Sequence, residues 1–215
     1  MNPKVLRRFI IIALIMTLTV PVIGLGVHYI SPPPGDYETR QGDIHLSTAY
    51  SAANQGDDSL AGREYEAALA AFDRALVAEP NHRGALMGRA LVFIQTEQYD
   101  DAIAQLQEMI AFLDETLEED DLTGRGALAA AHANLGIVFD RLGRYEEALH
   151  HYSRSVTIDE DTVSGPGIVD RIIHQPQPAS VRERAIYLAQ QLRLPEEERV
   201  MHIPEEDAEQ RMYRP

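Results

Sequence analysis

Eight histidines and no cysteine set the limits of the chemistry open to this chain of 215 residues. Without a thiol there is no cysteine nucleophile, no zinc ribbon and no disulfide. No phosphate-cradling glycine loop occurs either. Imidazole nitrogens could hold a metal ion, and His132, His150 and His151 come nearest to a ligand set. On a helix, adjacent His150 and His151 point ~100° apart and cannot grip one ion together. His132, on the neighbouring helix, can approach one of them, but a zinc site needs about three or four converging donors. The expectation is that these histidines sit at the surface or between helices, with no metal. The acidic run Glu118-Glu119-Asp120-Asp121 lacks the alternating spacing and the glycine of a calcium loop, so it reads as a solvated connection. No catalytic residue and no cofactor site emerges, and the expected role is binding, not catalysis.

The elements that must present a binding surface repeat along the chain. Tyr65, Tyr99 and Tyr145 are each followed three residues later by alanine: Ala68, Ala102 and Ala148. Tyr65 and Tyr99 lie 34 residues apart, and Tyr99 and Tyr145 lie 46 apart, which is 12 more. A 34-residue period with Y-x-x-A at fixed phase resembles the tetratricopeptide repeat, a helix–turn–helix unit that stacks into a solenoid. The match is best over 129–162, with Leu135-Gly136, Phe139, Gly143, Tyr145, Ala148-Leu149 and Tyr152. Ser155 and Glu160 depart from the family's usual alanine and proline. Repeat 49–82 keeps Gly56, Tyr65, Ala68-Leu69, Phe72, Ala75-Leu76 and Pro80, while Gln55 and Ser59 stand where large apolar residues are usual. Repeat 83–116 keeps Ala90, Phe93, Tyr99, Ala102-Ile103 and Leu106, with Arg89, Met109 and Asp114 departing. The small alanines let paired helices approach, and neither helix can bury its apolar face alone.

The resemblance implies an all-α fold: three repeats in a right-handed solenoid. Ser180 to Glu183 reads as a capping box. Val181, Ala185, Leu188 and Leu192 form one stripe, so a capping helix is expected over 181–193. Helices are expected at 45–61, 64–78, 83–96, 99–118, 126–141 and 145–158. The 12 extra residues from Leu117 to Leu128 separate the second and third repeats, and 159–178 is expected as a loop.

At the N-terminus, Lys4, Arg7 and Arg8 precede an uncharged run from Phe9 to Ile30. As a helix that run is ~33 Å long, enough to cross a hydrocarbon core of about 30 Å. The positive-inside rule then predicts a cytoplasmic tail over 1–8, a transmembrane anchor over 9–30 and an exported remainder. A cleaved secretory signal is the rival, with Pro21 and Gly24-Leu25-Gly26 as break and cleavage site. The length of the apolar run favours the anchor. Residues 31–44, with three prolines, are expected as an extended spacer ahead of a repeat domain at 45–194. Residues 195–215 are expected as a charged, loosely ordered tail, with a short helix from Asp207 to Tyr213 as the alternative there. The expected location is the bacterial inner membrane, with the repeats in the periplasm.

From residue 31 onward the chain holds 16 arginines against 34 acidic residues. That balance excludes nucleic acid, whose phosphates would be repelled, and favours basic partner surfaces. By the family's geometry, the first helix of each pair lines a concave groove. Tyr50 and Asp57 would come from repeat one, with Met87, Leu91 and Ile94 from repeat two and Asn134, Ile137 and Arg141 from repeat three. Such a surface suits an apolar stretch or amphipathic helix of a protein partner. The family's carboxylate clamp, which grips chaperone C-termini, needs groove lysines, and Lys4 is the only lysine. The expected function is a membrane-anchored scaffold or assembly factor that holds a client or a membrane-protein complex. The alternative is a permanent accessory subunit of a respiratory, photosynthetic or secretion complex.

Overall fold

The fold is seen in a computed structural model, described here over residues 35–160, 180–202 and 212–213, with Thr17 and Pro33. Among these residues there are seven α-helices and no strand. They are α1 Asp36–Asn54, α2 Asp58–Ala78, α3 Arg83–Gln95, α4 Tyr99–Thr116, α5 Leu122–Arg141, α6 Tyr145–Ile158 and α7 Val181–Gln191. A short 3-10 turn, Glu196–Glu198, follows. Helices pack in pairs, α1 with α2, α3 with α4 and α5 with α6, and each pair packs on the next. The first helices also touch along one side, α1 to α3 and α3 to α5, and α7 closes the stack on α6. This is an all-α helical solenoid of tetratricopeptide type.

The turns inside the pairs share one construction. Gly56 has φ 76° and Gly143 φ 73°, both left-handed, and Glu97 at φ 58° takes the same place between α3 and α4. After each comes an N–H bonded five residues back: Asp57 to Ala52 O, Gln98 to Phe93 O and Arg144 to Phe139 O. Orphan carbonyls at the helix ends are thereby satisfied, as in a Schellman motif.

Aromatic side chains over glycines set the spacing between helices. The Phe72 ring of α2 lies against Gly42 of α1 and Gly88 of α3, where a Cβ at either glycine would collide with it. Tyr152 of α6 lies on Gly136 of α5 in the same way. Ala68, Ala102 and Ala148 are fully buried where paired helices meet.

Several expectations are corrected. α1 begins at Asp36, so 36–44 is helix and not extended spacer. The cause is tertiary: Asp36 bonds His82 Nε2 at 2.9 Å, Thr39 is buried and Gly42 seats Phe72. α1 ends at Asn54, well short of 61, because left-handed Gly56 stops it. Asp57 then caps α2, accepting from Leu60 N–H at 2.9 Å. α5 starts at Leu122, not 126, because Asp121 accepts Gly124 N–H at 2.7 Å. The 195–215 segment is not loose where it is described: Val200 N–H bonds Gln191 Oε1 and Arg184 bonds Met201 O, both at 2.9 Å.

The inner-membrane, periplasm-facing topology is also corrected. Among the described residues no helix is long and apolar enough to cross a membrane. α5 has the length, but Arg125, His132, Asn134, Asp140 and Arg141 lower its hydropathy. The run over 9–30 lies outside the described residues except for Thr17, as does the expected loop from 161 to 179.

Two stability outcomes follow from this packing. Gly88→Ala should destabilise the chain by about 1–3 kcal/mol through overpacking against buried Phe72. This holds although alanine is the better helix former by ~1 kcal/mol; an unchanged or raised urea midpoint would refute the contact. Glu97→Gly should raise stability by about 1 kcal/mol by relieving the left-handed backbone, and a lower melting temperature would show that the turn is unstrained.

Candidate peptide-binding groove

From Gly126 to Asp140 every residue of α5 is buried. Three of them are strongly polar, His132, Asn134 and Asp140. A polar group buried in such a helix requires a partner outside it. Each of the three finds one in a different direction.

Asp140 faces α6 and α7. Arg184 of α7 forks onto its carboxylate, Nε to Oδ2 at 2.7 Å and Nη2 to Oδ1 at 2.8 Å. The Tyr152 hydroxyl donates to Oδ2 at 3.1 Å. His132 faces α6, where its Nδ1 lies 2.9 Å from Nδ1 of His151. The two rings stack, with centroids 5.2 Å apart, and Phe139 also stacks on His151 at 5.4 Å. His150 is exposed and sits edge-on to His151.

Asn134 faces α3 and the inner side of the stack. Its Nδ2 reaches the Met87 sulfur at 3.3 Å. The same amide holds both main-chain polar groups of Tyr213: Nδ2 donates to Tyr213 O at 2.6 Å, and Tyr213 N–H donates to Oδ1 at 2.8 Å. The Tyr213 hydroxyl accepts Val181 N–H, in the first turn of α7, at 3.3 Å. Beside it, Gln95 Nε2 at the end of α3 donates to the Met212 sulfur at 3.7 Å. α3, α5 and α7 thus form a seat for a stretch of main chain, with Met212-Tyr213 in it.

The residues expected in the groove divide. Met87 and Asn134 come together, both almost wholly buried. Leu91, Ile94 and Ile137 belong to the hydrophobic core. Tyr50 is half-buried, its ring edge-on to Tyr65 at 6.2 Å. Asp57 is exposed and caps α2, and Arg141 is exposed at the end of α5. Gln95, Val181, Met212 and Tyr213 were not among the residues expected there. Their one readable sign is Met212-Tyr213, an apolar pair in a charged segment. In the acidic run, Asp121 takes a structural role. The Gly124 N–H bond, followed by Arg83 at 2.6 Å, holds its carboxyl below the usual range.

Two stretches match the family described as Tetratricopeptide repeat, residues 53–116 and 129–162. Over these two stretches the chain is similar to tetratricopeptide repeats. A curated relative is the Small glutamine-rich tetratricopeptide repeat-containing protein 2 of Mycosarcoma maydis, 27% identical over 117 residues. The match takes in 54% of this chain and 30% of that protein's length. A similar solved structure is "First TPR of Spaghetti (RPAP3) bound to HSP90 peptide SRMEEVD", at TM-score 0.43 and 14% identity, covering 72% of this chain and 94% of the other. Another is the "N-terminal domain of stress-induced protein-1 (STI-1) from C.elegans", at TM-score 0.40 and 17% identity, covering 63% and 94%. These relatives lend no support to the expected likeness to membrane-anchored bacterial envelope proteins.

The histidine pair makes stability depend on pH. Burial above all, with Arg154 and His150 nearby, lowers His132 to about 4. Burial, then His132 and His150, lowers His151 to about 4. An unfolded imidazole titrates near 6.5. Between these values the unfolded chain holds protons that the folded chain does not, so the stabilisation present above 6.5 is lost as pH falls towards 4. His132→Gln should reduce the acid slope of stability by about one proton. Chemical denaturation at a series of pH values reads that slope, and identical slopes would show that the pair does not titrate as a buried one.

Proposed function

We propose that this chain is an interaction scaffold that holds a protein partner by an extended segment laid along α3 and α5 and closed by α7. One observation carries this reading: the buried Asn134 amide pairs with both the N–H and the C=O of Tyr213. A side-chain amide that grips main chain accepts many sequences, and the pockets beside it then select among them. Met87, Gln95 and the Val181 N–H supply those pockets, two of them suited to a thioether or aromatic side chain. The groove reading differs from the sequence expectation in one respect. Leu91, Ile94 and Ile137 support the wall from the core, while Asn134 and Met87 meet the ligand.

The excess of acidic over basic residues, a formal charge of −15, favours a partner with basic groups around the docked segment. No catalytic step is part of this reading.

Affinity purification of the tagged chain, with partners quantified by mass spectrometry, tests it. Two amide hydrogen bonds at ~1 kcal/mol each correspond to about thirtyfold in affinity. A partner recovered with the unchanged chain should therefore be lost with Asn134→Ala, while circular dichroism shows that variant still folded at the temperature of the assay. Full recovery of every partner by a folded Asn134→Ala chain would reject the groove.

A further inference from the structure

Asn134 would be poorly placed without a peptide on it. With Met212-Tyr213 in place, its side chain is fully buried in a helix whose own backbone bonds are made internally. Apart from the Met87 sulfur, the partners given by the structure are the two main-chain groups of Tyr213. A carboxamide so deeply placed costs stability unless it is paired, so the position is built to receive backbone. The second contact is independent of the first. Val181 N–H is one of the first-turn donors that a helix leaves unpaired, and the Tyr213 hydroxyl meets it. Gln95 meets Met212 at the far side. Three helices thus contact two residues that lie some 80 positions from Asn134 in the chain.

We infer that Met212-Tyr213 is a resident ligand of the groove, bound in cis, and that a partner's segment enters only by displacing it. This rests on the function proposed above and adds its regulation. It also states the ligand's chemistry: an extended stretch with an aromatic hydroxyl for Val181, a thioether or similar neighbour for Gln95, and flanking basic residues. The last point comes from the sequence Arg211-Met212-Tyr213-Arg214, two arginines around the docked pair in a chain of net charge −15. The apparent affinity for any partner is then lowered by the fraction of chains whose groove is occupied.

The test uses the full chain and a fluorescent peptide copying residues 208–215. Fluorescence anisotropy should show the peptide binding the Met212→Ala/Tyr213→Ala chain at least about tenfold more tightly than the unchanged chain. Adding Asn134→Ala to that variant should abolish the gain, and a peptide with alanine in place of its tyrosine should bind neither chain. Equal affinity for the unchanged and the double-variant chains would overturn the occlusion. No binding to a folded double variant would overturn the ligand assignment. If diluting the unchanged chain frees its groove, the occupant is the segment of a second copy, and the cis contact is wrong. Partner recovery is a separate readout. If it survives Asn134→Ala while the peptide behaves as stated, the proposed function fails and the resident contact stands. If it is lost while the peptide shows equal affinities, the function stands and the occlusion fails.

Discussion

The stack depends on aromatic rings laid over glycines. Phe72 lies on Gly42 and Gly88 at once, so one side chain fixes how closely α2 approaches both α1 and α3. Tyr152 on Gly136 repeats the device one pair later. With no Cβ beneath it, a ring reaches the helix surface itself. The same closeness brings first helices into contact with each other, α1 with α3 and α3 with α5. The inner face exists because of it, and so does the burial of the polar residues on α5.

Those polar residues give α5 three different faces. His132 looks to α6, Asp140 to α6 and α7, and Asn134 to α3 and the segment at 212–213. Two of the three are answered by side chains that the fold itself places. Asn134 is answered mainly by backbone from far along the chain. A side chain whose partner is main chain does not depend on which residue supplies it.

The repeat phase was readable in the sequence because tyrosine and alanine at fixed spacing reflect a packing need that recurs in each unit. Tyr65, Ala68, Ala102, Ala148 and Tyr152 are all buried. The first hairpin was misread because the 34-residue period was extended over 49–64, where local signals disagree with it. Gly56 and Asp57 are an ordinary helix stop and start, and they place the turn where the structure has it. The start of α1 was hidden for another reason. The contacts of Asp36 and Thr39 with His82 span more than 40 residues and leave no periodic trace. That Met87 and Asn134 come together follows from helix phase. The place of Met212 and Tyr213 does not, since nothing local to a charged segment says where its apolar residues dock.

The end of the solenoid and the groove are mechanically one. Arg184 is almost fully buried against Asp140 and also holds Met201 O. That fork sets the height of α7 on α5 and α6, and with it the position of the Val181 N–H that meets the Tyr213 hydroxyl. An ion pair with both partners this deeply buried adds little net stability, but losing one partner strands a charge. Its value here is positional, because a bidentate guanidinium permits one orientation. Asp140 and Asn134 lie on different faces of α5, so the fork ties α7 to one face while Tyr213 meets the other. α7 closes the stack and α5 supplies the buried polar groups: Asp140 holds Arg184, and Asn134 holds the main chain of Tyr213, so the interior of α5 keeps polar residues where apolar packing alone would have carried leucine.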